Sequence, residues 1–594
     1  MASSIYYRSM GKKKADRKTD VSLRLKRARD LFKRAQVKHQ QKRFDEALDL
    51  YAMALAAQPE HVEARARLVA ILEMAHTRAY DDRIAGLITE CLATEGVNFE
   101  ALSRCAAMQL RHKYRIPDYT PKRRVFRFSP SSLSHLTSDG LFMNFLTRTI
   151  NRDYALEIFL TSVRRTVTTM IARGERSHVV RKLASGLARQ AFNNEYIWDV
   201  SDEESALIDA TTVQLEKLLP DPTIVHDEED RLLLYTMYAP LWQLPQAEQL
   251  SRLDCTGWPD TLRPVAVASL HDHYAEHALA ETIPLLSPIM HEVSRKVAGM
   301  YEENPYPRWV YLARREPIDI ITEIMREFSQ IAERAKRPGP LEVLMPGAGT
   351  GQHPLSVATG YRDCMVTAVD LSRNSLAYGK RMAQRLGIDN VAFLQGDILD
   401  LPILERQFDL IECVGVLHHM KDPTAGCRAL ALCLRPGGLI RIGLYGEHAR
   451  RDIVRARTLI AKRGYPETIQ GLRAFRRDVG RAEGPFAAVR DLMNWEDFYS
   501  ASLVRDLVFH VQEIRFTIPK LRRMIEDVGI TFIGFEFAAG FSRAQVTNHP
   551  ALQLYRRHFP EDGALADLKK WEWLESMNPG LFPGYAFWCQ KPPD

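Results

Sequence analysis

The chain has 594 residues, 46% of them hydrophobic and 26% charged, with a net charge of +7. That length is too great for one core and calls for several domains, and the composition is that of an ordinary globular protein. No run of about twenty apolar residues suggests a membrane span, the polar, basic N-terminus lacks the apolar centre of a secretion signal, and the eight cysteines are scattered without a C-x-x-C pair.

Buried, reduced thiols in a cytoplasmic protein are therefore expected, with no metal site and no membrane association. Charge is uneven along the chain. Residues 1–43 carry fifteen Lys and Arg against three Asp, a net of +12, which leaves −5 for the remainder. Residues 1–20, with Lys12, Lys13, Lys14, Arg17 and Lys18, read as a disordered basic tail. Such a tail can contact nucleic acid, but a solubilising role is the plainer reading, because no interleaved aromatics indicate single-strand stacking.

Residues 21–95 carry a helical repeat pattern. Leu31, Ala35, Phe44, Ala47, Tyr51, Ala54 and Pro59 fall where a tetratricopeptide repeat has its packing positions and closing proline. A second repeat begins at His61 and decays, and one and a half repeats cannot form a stable solenoid unaided. The segment is read either as a groove for a protein or peptide partner or as a helical cap. Residues 96–295 are predicted to form a helical domain, since Leu156–Val163 and Leu183–Phe192 have helical apolar spacing and Ser201 is placed to cap a helix beginning at Asp202. Residues 296–340, containing Tyr301-Glu-Glu-Asn-Pro-Tyr-Pro-Arg-Trp309, form a lid or linker stiffened by Pro305 and Pro307.

The most informative stretch is Leu341-Glu-Val-Leu-Met-Pro-Gly-Ala-Gly-Thr-Gly351, followed nineteen residues later by Asp370. A buried strand runs into a glycine turn that lets backbone approach a ligand, and a second strand ends on a carboxylate where a doubly wound α/β sheet meets a ribose. A dinucleotide fingerprint would need a third glycine at position 352, which is Gln352. The pattern G-x-G-x-G instead resembles motif I of class I S-adenosylmethionine-dependent methyltransferases. Gln395-Gly-Asp-Ile398, Phe408–Met420 and Leu434–Leu444 resemble the later motifs in order, and Ile530–Phe537 with Tyr585–Cys589 resemble the closing antiparallel strands. Together with the repeat segment, Tyr301–Trp309, Gly415-Val-Leu-His-His419, Gly443-Leu-Tyr-Gly446 and Arg505–Glu513, these resemble a family of bacterial tetratricopeptide-repeat-containing methyltransferases along nearly the whole chain.

The resemblance implies an α/β Rossmann-like class I methyltransferase domain, with a seven-stranded, mostly parallel sheet, over residues 341–594, preceded by an all-α half. Helical insertions at about 446–529 and 540–584 are expected to roof the site. The implied cofactor is S-adenosyl-L-methionine, bound by Gly347, Gly349 and Gly351, by Asp370 on the ribose, by Asp397 on the adenine amino group and by the backbone of Ile398. One departure is Met345, where many members carry an acid that holds the cofactor's amino group.

Acceptor chemistry has less signature. His418 and His419, after the fourth strand, are the candidate bases, with an ordinary imidazole range suited to proton removal near neutrality. Tyr306 and Trp309 form a wall around the cofactor sulfonium, which aromatic faces attract, or plug a rigid linker into the core. Asp506, His510 and Glu513 would share one face of a helix and either contact the acceptor or form structural ion pairs. The reading is a methyltransferase acting on a protein or peptide docked by the helical half. A small-molecule methyltransferase and a non-catalytic cofactor-binding scaffold are the alternatives.

Overall fold

The computed structural model describes residues 22–119, 126–218, 225–328, 330–331, 338–537 and 549–593. The expected basic tail over 1–20 lies outside the described residues. Two compact units divide the chain. One holds the described residues up to Tyr119 together with Phe126–Val163 and Val310–Glu316; the other holds Arg164–Trp309 and the described residues from Pro317 onward.

The first unit is built of helices, beginning with 22–40, Phe44–Ala57, Val62–Glu73, Asp82–Leu92 and Phe99–Lys113. Short polar residues start several of them. The Asp81 carboxylate accepts from the backbone N–H groups of Arg83 and Ile84, and the Asn98 side chain accepts from Ala101, satisfying donors that a helix start leaves unpaired. Leu31, Ala35, Ala47, Tyr51 and Ala54 are buried as packing residues should be, whereas Phe44, at the first position of its helix, is 40% exposed.

The expected single helical domain over 96–295 is divided between the units. The reason lies at Arg164, which is 2% exposed within the long helix Tyr154–Ala172. Its Nε donates to Glu204 Oε1 at 3.2 Å, the Tyr238 hydroxyl donates to the same oxygen at 2.8 Å, and the guanidinium lies 4.4 Å from the Tyr238 ring centroid. A buried charge is tolerated only with such partners, so residues from Arg164 on pack with the helices of 178–236.

The second unit contains the sheet. Its strands are β1 (Leu341–Pro346), β2 (Cys364–Asp370), β3 (Val391–Gln395), β4 (Phe408–Val414), β5 (Leu434–Tyr445), β6 (Thr531–Phe535) and β7 (Gly584–Gln590). They are ordered β3-β2-β1-β4-β5-β7-β6; the first five run parallel and β7 is antiparallel to both neighbours. Both faces are covered, as a parallel sheet requires. Alternation sends Val343 and Met345 into one core with Val366, Leu410, Leu439 and Trp588, and Leu344 into the other with Ile411, Cys413, Ile440 and Ile442. Between β4 and β5 a charged cluster is sealed in: Glu412 accepts from Arg441 Nη1 at 2.9 Å, and Arg441 Nε and Nη2 reach Glu536 at 2.7 and 2.9 Å.

Two boundaries differ from expectation. The chain joins the sheet edge before 296, because the Leu286 N–H donates to the Gln395 carbonyl at 2.8 Å and the Gln395 N–H donates to Pro284 at 2.9 Å. The insertion after β5, with helices Arg451–Arg463 and Ile469–Arg481, packs on residues 194–199 rather than standing alone: Arg473 Nε donates to the Tyr196 carbonyl at 3.0 Å, and the Ser502 N–H donates to Glu195 at 2.6 Å. In the insertion before β7, helices Pro550–His558 and Leu568–Met577 bury Tyr555 and Trp571 against a sheet face.

Candidate functional site

A cavity of about 270 Å³ opens at the carboxyl ends of β1, β2 and β4, where open α/β sheets bind ligands. Its floor is the turn after β1. Gly347 and Gly349 have φ of +69° and +52°. A Cβ on Gly347 would run into the Val416 side chain, and one on Gly349 would stand 2.7 Å from the Tyr306 carbonyl oxygen. The turn therefore needs glycine both for backbone sign and for clearance.

Gly351 plays a different part from the one expected of it. It does not line the cavity; a Cβ there would stand 2.8 Å from the Cα of Gly379, so its role is to let the helix Gln352–Gly360 pack on the helix Arg373–Leu386.

Asp370 and Asp397 both line the cavity. Asp370 Oδ2 accepts from the Gly349 N–H at 2.8 Å and Oδ1 from the Ser372 N–H at 2.9 Å. Each oxygen keeps a lone pair for a ligand hydroxyl. Burial, reinforced by nearby Glu302 and opposed by those two N–H donors, pushes the Asp370 carboxyl up to about 6. Asp397 caps the short turn of helix Ile398–Leu404, its Oδ1 accepting from Leu399 at 3.1 Å, while Oδ2 is buried without a hydrogen-bond partner. An orphaned buried acceptor beside the cavity calls for a ligand donor, and an adenine amino group is one. Ile398 lines the same end. These features fit S-adenosylmethionine: hydroxyl acceptors at one carboxylate, an amino acceptor at the next, and no phosphate cradle.

The roof comes from outside the glycine turn. In helix Glu292–Glu303, Val293, Ser294, Val297 and Tyr301 line the cavity. Glu302 anchors that helix by accepting from the backbone N–H groups of Arg373 at 2.7 Å and Asn374 at 2.9 Å, at the positive end of the helix that follows β2. Tyr306 lines the cavity as expected. Trp309 does not: it is buried, and its Nε1–H donates to the Thr350 carbonyl at 3.1 Å with its ring on Tyr378. The Thr350 N–H in turn donates to Tyr306 at 3.1 Å. Trp309 is the plug that fixes the lid to the turn, and Tyr306 alone of the pair faces the ligand.

The two histidines after β4 separate in the same way. His419 lines the cavity and its Nδ1–H donates to the Gln512 carbonyl at 2.8 Å. His418 is sealed beneath, stacked 3.8 Å from the Tyr445 ring centroid with both ring nitrogens unpartnered. Burial, helped by the neighbouring His419, holds His418 well below the usual imidazole range. His418 does not line the cavity and is fully enclosed, so it meets no acceptor there.

The expected helical face of Asp506, His510 and Glu513 is not formed. The helix stops at Phe509, and His510 to Arg515 run as irregular chain. Glu513 instead pairs with Arg450 and lies 3.6 Å from Arg457 Nη1. Asp506 lines the cavity, and the Tyr301 hydroxyl donates to its Oδ1 at 2.7 Å. His510 stacks on His419 with centroids 3.7 Å apart and does not line the cavity itself. Tyr445, at the end of β5, completes the wall. It was legible only as part of a Gly-Leu-Tyr-Gly motif, without a role.

Comparison with known proteins agrees with this geometry. Residues 343–438 match the family model described as a methyltransferase domain. The chain is similar to the uncharacterized protein syc1184_c of a Synechococcus strain, 30% identical over 41% of this chain and 60% of that protein. It is similar to the uncharacterized methyltransferase YcgJ of Bacillus subtilis, 30% identical over 26% of this chain and 58% of that protein. It is also 33% identical to the 27-O-demethylrifamycin SV methyltransferase of Amycolatopsis mediterranei, over 16% of this chain and 36% of that protein. The chain thus spans about 60% or less of the length of these relatives. No described helix is long and apolar enough to cross a membrane. With the sheet order, the turn after β1 and the two carboxylates, the match makes residues 343–438 a class I methyltransferase domain whose cofactor is S-adenosylmethionine.

Proposed function

We propose that the whole protein is an S-adenosylmethionine-dependent methyltransferase that modifies a protein or peptide side chain docked by the helical N-terminal half. The observation that carries this reading is that one cavity is lined both by Gly347, Gly349, Asp370 and Asp397 and by Tyr306, His419, Tyr445 and Asp506. When bound, the cofactor supplies a methyl group on a cationic sulfur that leaves as a neutral thioether. The chain's own residues grip and orient. Asp370 accepts the ribose hydroxyls, Asp397 Oδ2 accepts the adenine amino group, and the backbone at Gly347 and Gly349 lies close beneath. His419, whose side chain lines the cavity, is the candidate to take a proton from the acceptor.

Pockets that enclose a drug-sized ligand span about 300–1,000 Å³, so a cavity of about 270 Å³ is small for the cofactor and a free acceptor together. That size favours the tip of a larger molecule as acceptor. A small-molecule oxygen acceptor is the second reading, favoured by the name of the rifamycin methyltransferase relative. Cofactor carrying a radiolabelled methyl group, added with the protein to lysate of a strain lacking it, separates the readings. Label in the protein fraction is expected. Label confined to small molecules would replace the acceptor, and cofactor binding with no label in any fraction would support a non-catalytic scaffold.

A further inference from the structure

Asp506 is 5% exposed and lines the cavity. Among the described residues its hydrogen bond is the one from Tyr301, and no cation lies within ion-pair distance. The nearest candidates are spent elsewhere: Arg450 pairs with Glu513 and covers the Tyr445 ring at 4.0 Å, and Arg457 reaches the same glutamate. A buried carboxylate without a counter-charge is costly. A cation entering the cavity would supply the missing charge.

The neighbouring histidines define what that is. His419, Asp506 and His510 each bring one ligating atom within 4.8 Å of the others, the arrangement in which a metal ion would first be sought. The Gln512 backbone argues otherwise. Its carbonyl accepts from His419 Nδ1–H at 2.8 Å, which leaves the His419 lone pair on Nε2. Its N–H donates to His510 Nδ1 at 3.0 Å, so the single lone pair of neutral His510 is already used and its buried, unpartnered Nε2 bears hydrogen. His510 stays neutral because burial, with His419 and Arg457 nearby, holds its pKa at about 2. The backbone of one residue thus sets the two rings in opposite tautomers, and a metal would find a lone pair on only one of them.

Facing the cavity are a carboxylate and one bare imidazole nitrogen, both acceptors, beside the side chains of Tyr306 and Tyr445. An alkylammonium matches this set: it supplies the missing positive charge, donates N–H bonds to both groups and suits an aromatic wall. A hydroxyl would leave the carboxylate uncompensated.

We propose that Asp506 and His419 Nε2 form a receptor for a primary ammonium group, so that the methyl acceptor is an amine. The ammonium proton passes to His419 Nε2, giving an imidazolium beside Asp506 and freeing the nitrogen lone pair. His510 is a positioning residue that packs beneath His419. The proposal rests on the methyltransferase reading and narrows its acceptor.

Three cofactor analogues test it by calorimetry without a known acceptor. S-adenosylhomocysteine is uncharged at sulfur, S-adenosylmethionine carries the sulfonium, and sinefungin carries an ammonium where the methyl would sit; all three share the same methionine end. Asp506→Asn is expected to weaken sinefungin by about tenfold more than S-adenosylhomocysteine, the worth of one charge-assisted hydrogen bond. Equal weakening of all three would place Asp506 on the methionine amino group and overturn the proposal, as would no weakening at all. Tyr301→Phe, which keeps the charge and removes the hydrogen bond to Oδ1, guards against misfolding of the first variant and should reduce sinefungin binding selectively but less. With S-adenosylhomocysteine saturating, n-butylammonium should bind and n-butanol should not; equal binding of both, or of neither, overturns the assignment. Tight binding of zinc or manganese chloride alone, lost in His510→Ala, would do so too. Failure of S-adenosylhomocysteine to bind the unaltered protein would sink the broader reading instead.

Discussion

At Asp370 the same burial that brings the carboxylate to the cavity raises its pKa to about 6. A protonated carboxyl can offer a ribose fewer lone pairs and no charge. Cofactor affinity is therefore expected to hold above pH 6 and to fall by up to about tenfold per pH unit below it. Because the folded pKa lies above the usual carboxylate value, the ligand-free protein gains stability from this group as pH falls through the same window, so weaker binding there is not unfolding. In Asp370→Asn affinity should be lower by about 10- to 100-fold at pH 7 and flat across pH 5–7, as titration calorimetry would report. A wild-type affinity unchanged between pH 7 and 5 would remove Asp370 from the ribose. The residues legible in sequence were those with a backbone reason to be there: Gly347, Gly349 and Asp397 sit where a strand ends and a turn must begin. Trp309 was left between two readings and His418 among the candidate bases because composition shows an aromatic or a titratable ring but not which way it points, and each was claimed by a backbone carbonyl or a stacking partner.

At the scale of elements, Glu302 joins the lid helix to the start of the helix after β2 through two backbone N–H groups. Glu302→Ala should cost about 0.5–2 kcal/mol, as loss of a helix cap does, and loosen cofactor binding in step, since Tyr301 and Val297 ride on the same helix. Denaturant unfolding with and without S-adenosylhomocysteine would separate the two effects. In the sheet, Arg441 lies between Glu412 and Glu536, and despite burial the hydrogen bond and charge of His353, with Arg441, hold Glu412 down at about 2. Arg441→Met leaves two buried carboxylates facing each other and should cost about 3–5 kcal/mol at pH 7. The sign with pH follows from the lowered Glu412 pKa: the stabilisation is full above about pH 4.5 and is lost as pH falls through 2. The penalty of the variant should therefore shrink in acid, and a pH-independent penalty would contradict the account. The strands were readable because short apolar runs end at turns, whereas the helix placed over Arg505–Glu513 was not: Arg505–Phe509 forms a π-helical turn, and the chain from His510 is irregular, with the Gln512 backbone bonded to His419 and His510.

For the whole molecule, the absence of paired cysteines gives a direct check on the packing. Seven of the eight thiols are buried, and burial pushes Cys427 and Cys91 up to about 12 and Cys105 and Cys433 to about 11; Cys255 is the partly exposed one. Thiolate, not thiol, reacts. Iodoacetamide under native conditions should label Cys255 well before any other, read by peptide mass spectrometry, and early labelling of Cys413 or Cys589 would mean that the sheet core is not closed. The α/β half was legible at this scale since its motifs recur in fixed order. The partition of the helical half was not, because helix periodicity says that a face is buried without saying against what; the buried Arg164–Glu204 pair decided it.

The domain match ends at residue 438, yet Tyr301, Tyr306, Tyr445 and Asp506 all lie beyond its limits and still border the cavity. The matched segment, which takes in the glycine turn, the two carboxylates and His419, therefore leaves out much of the wall around the cavity. Relatives can diverge in acceptor by exchanging the flanking segments while the nucleoside end stays untouched, and a transplant of residues 446–529 from one relative to another would be the economical way to redirect such an enzyme.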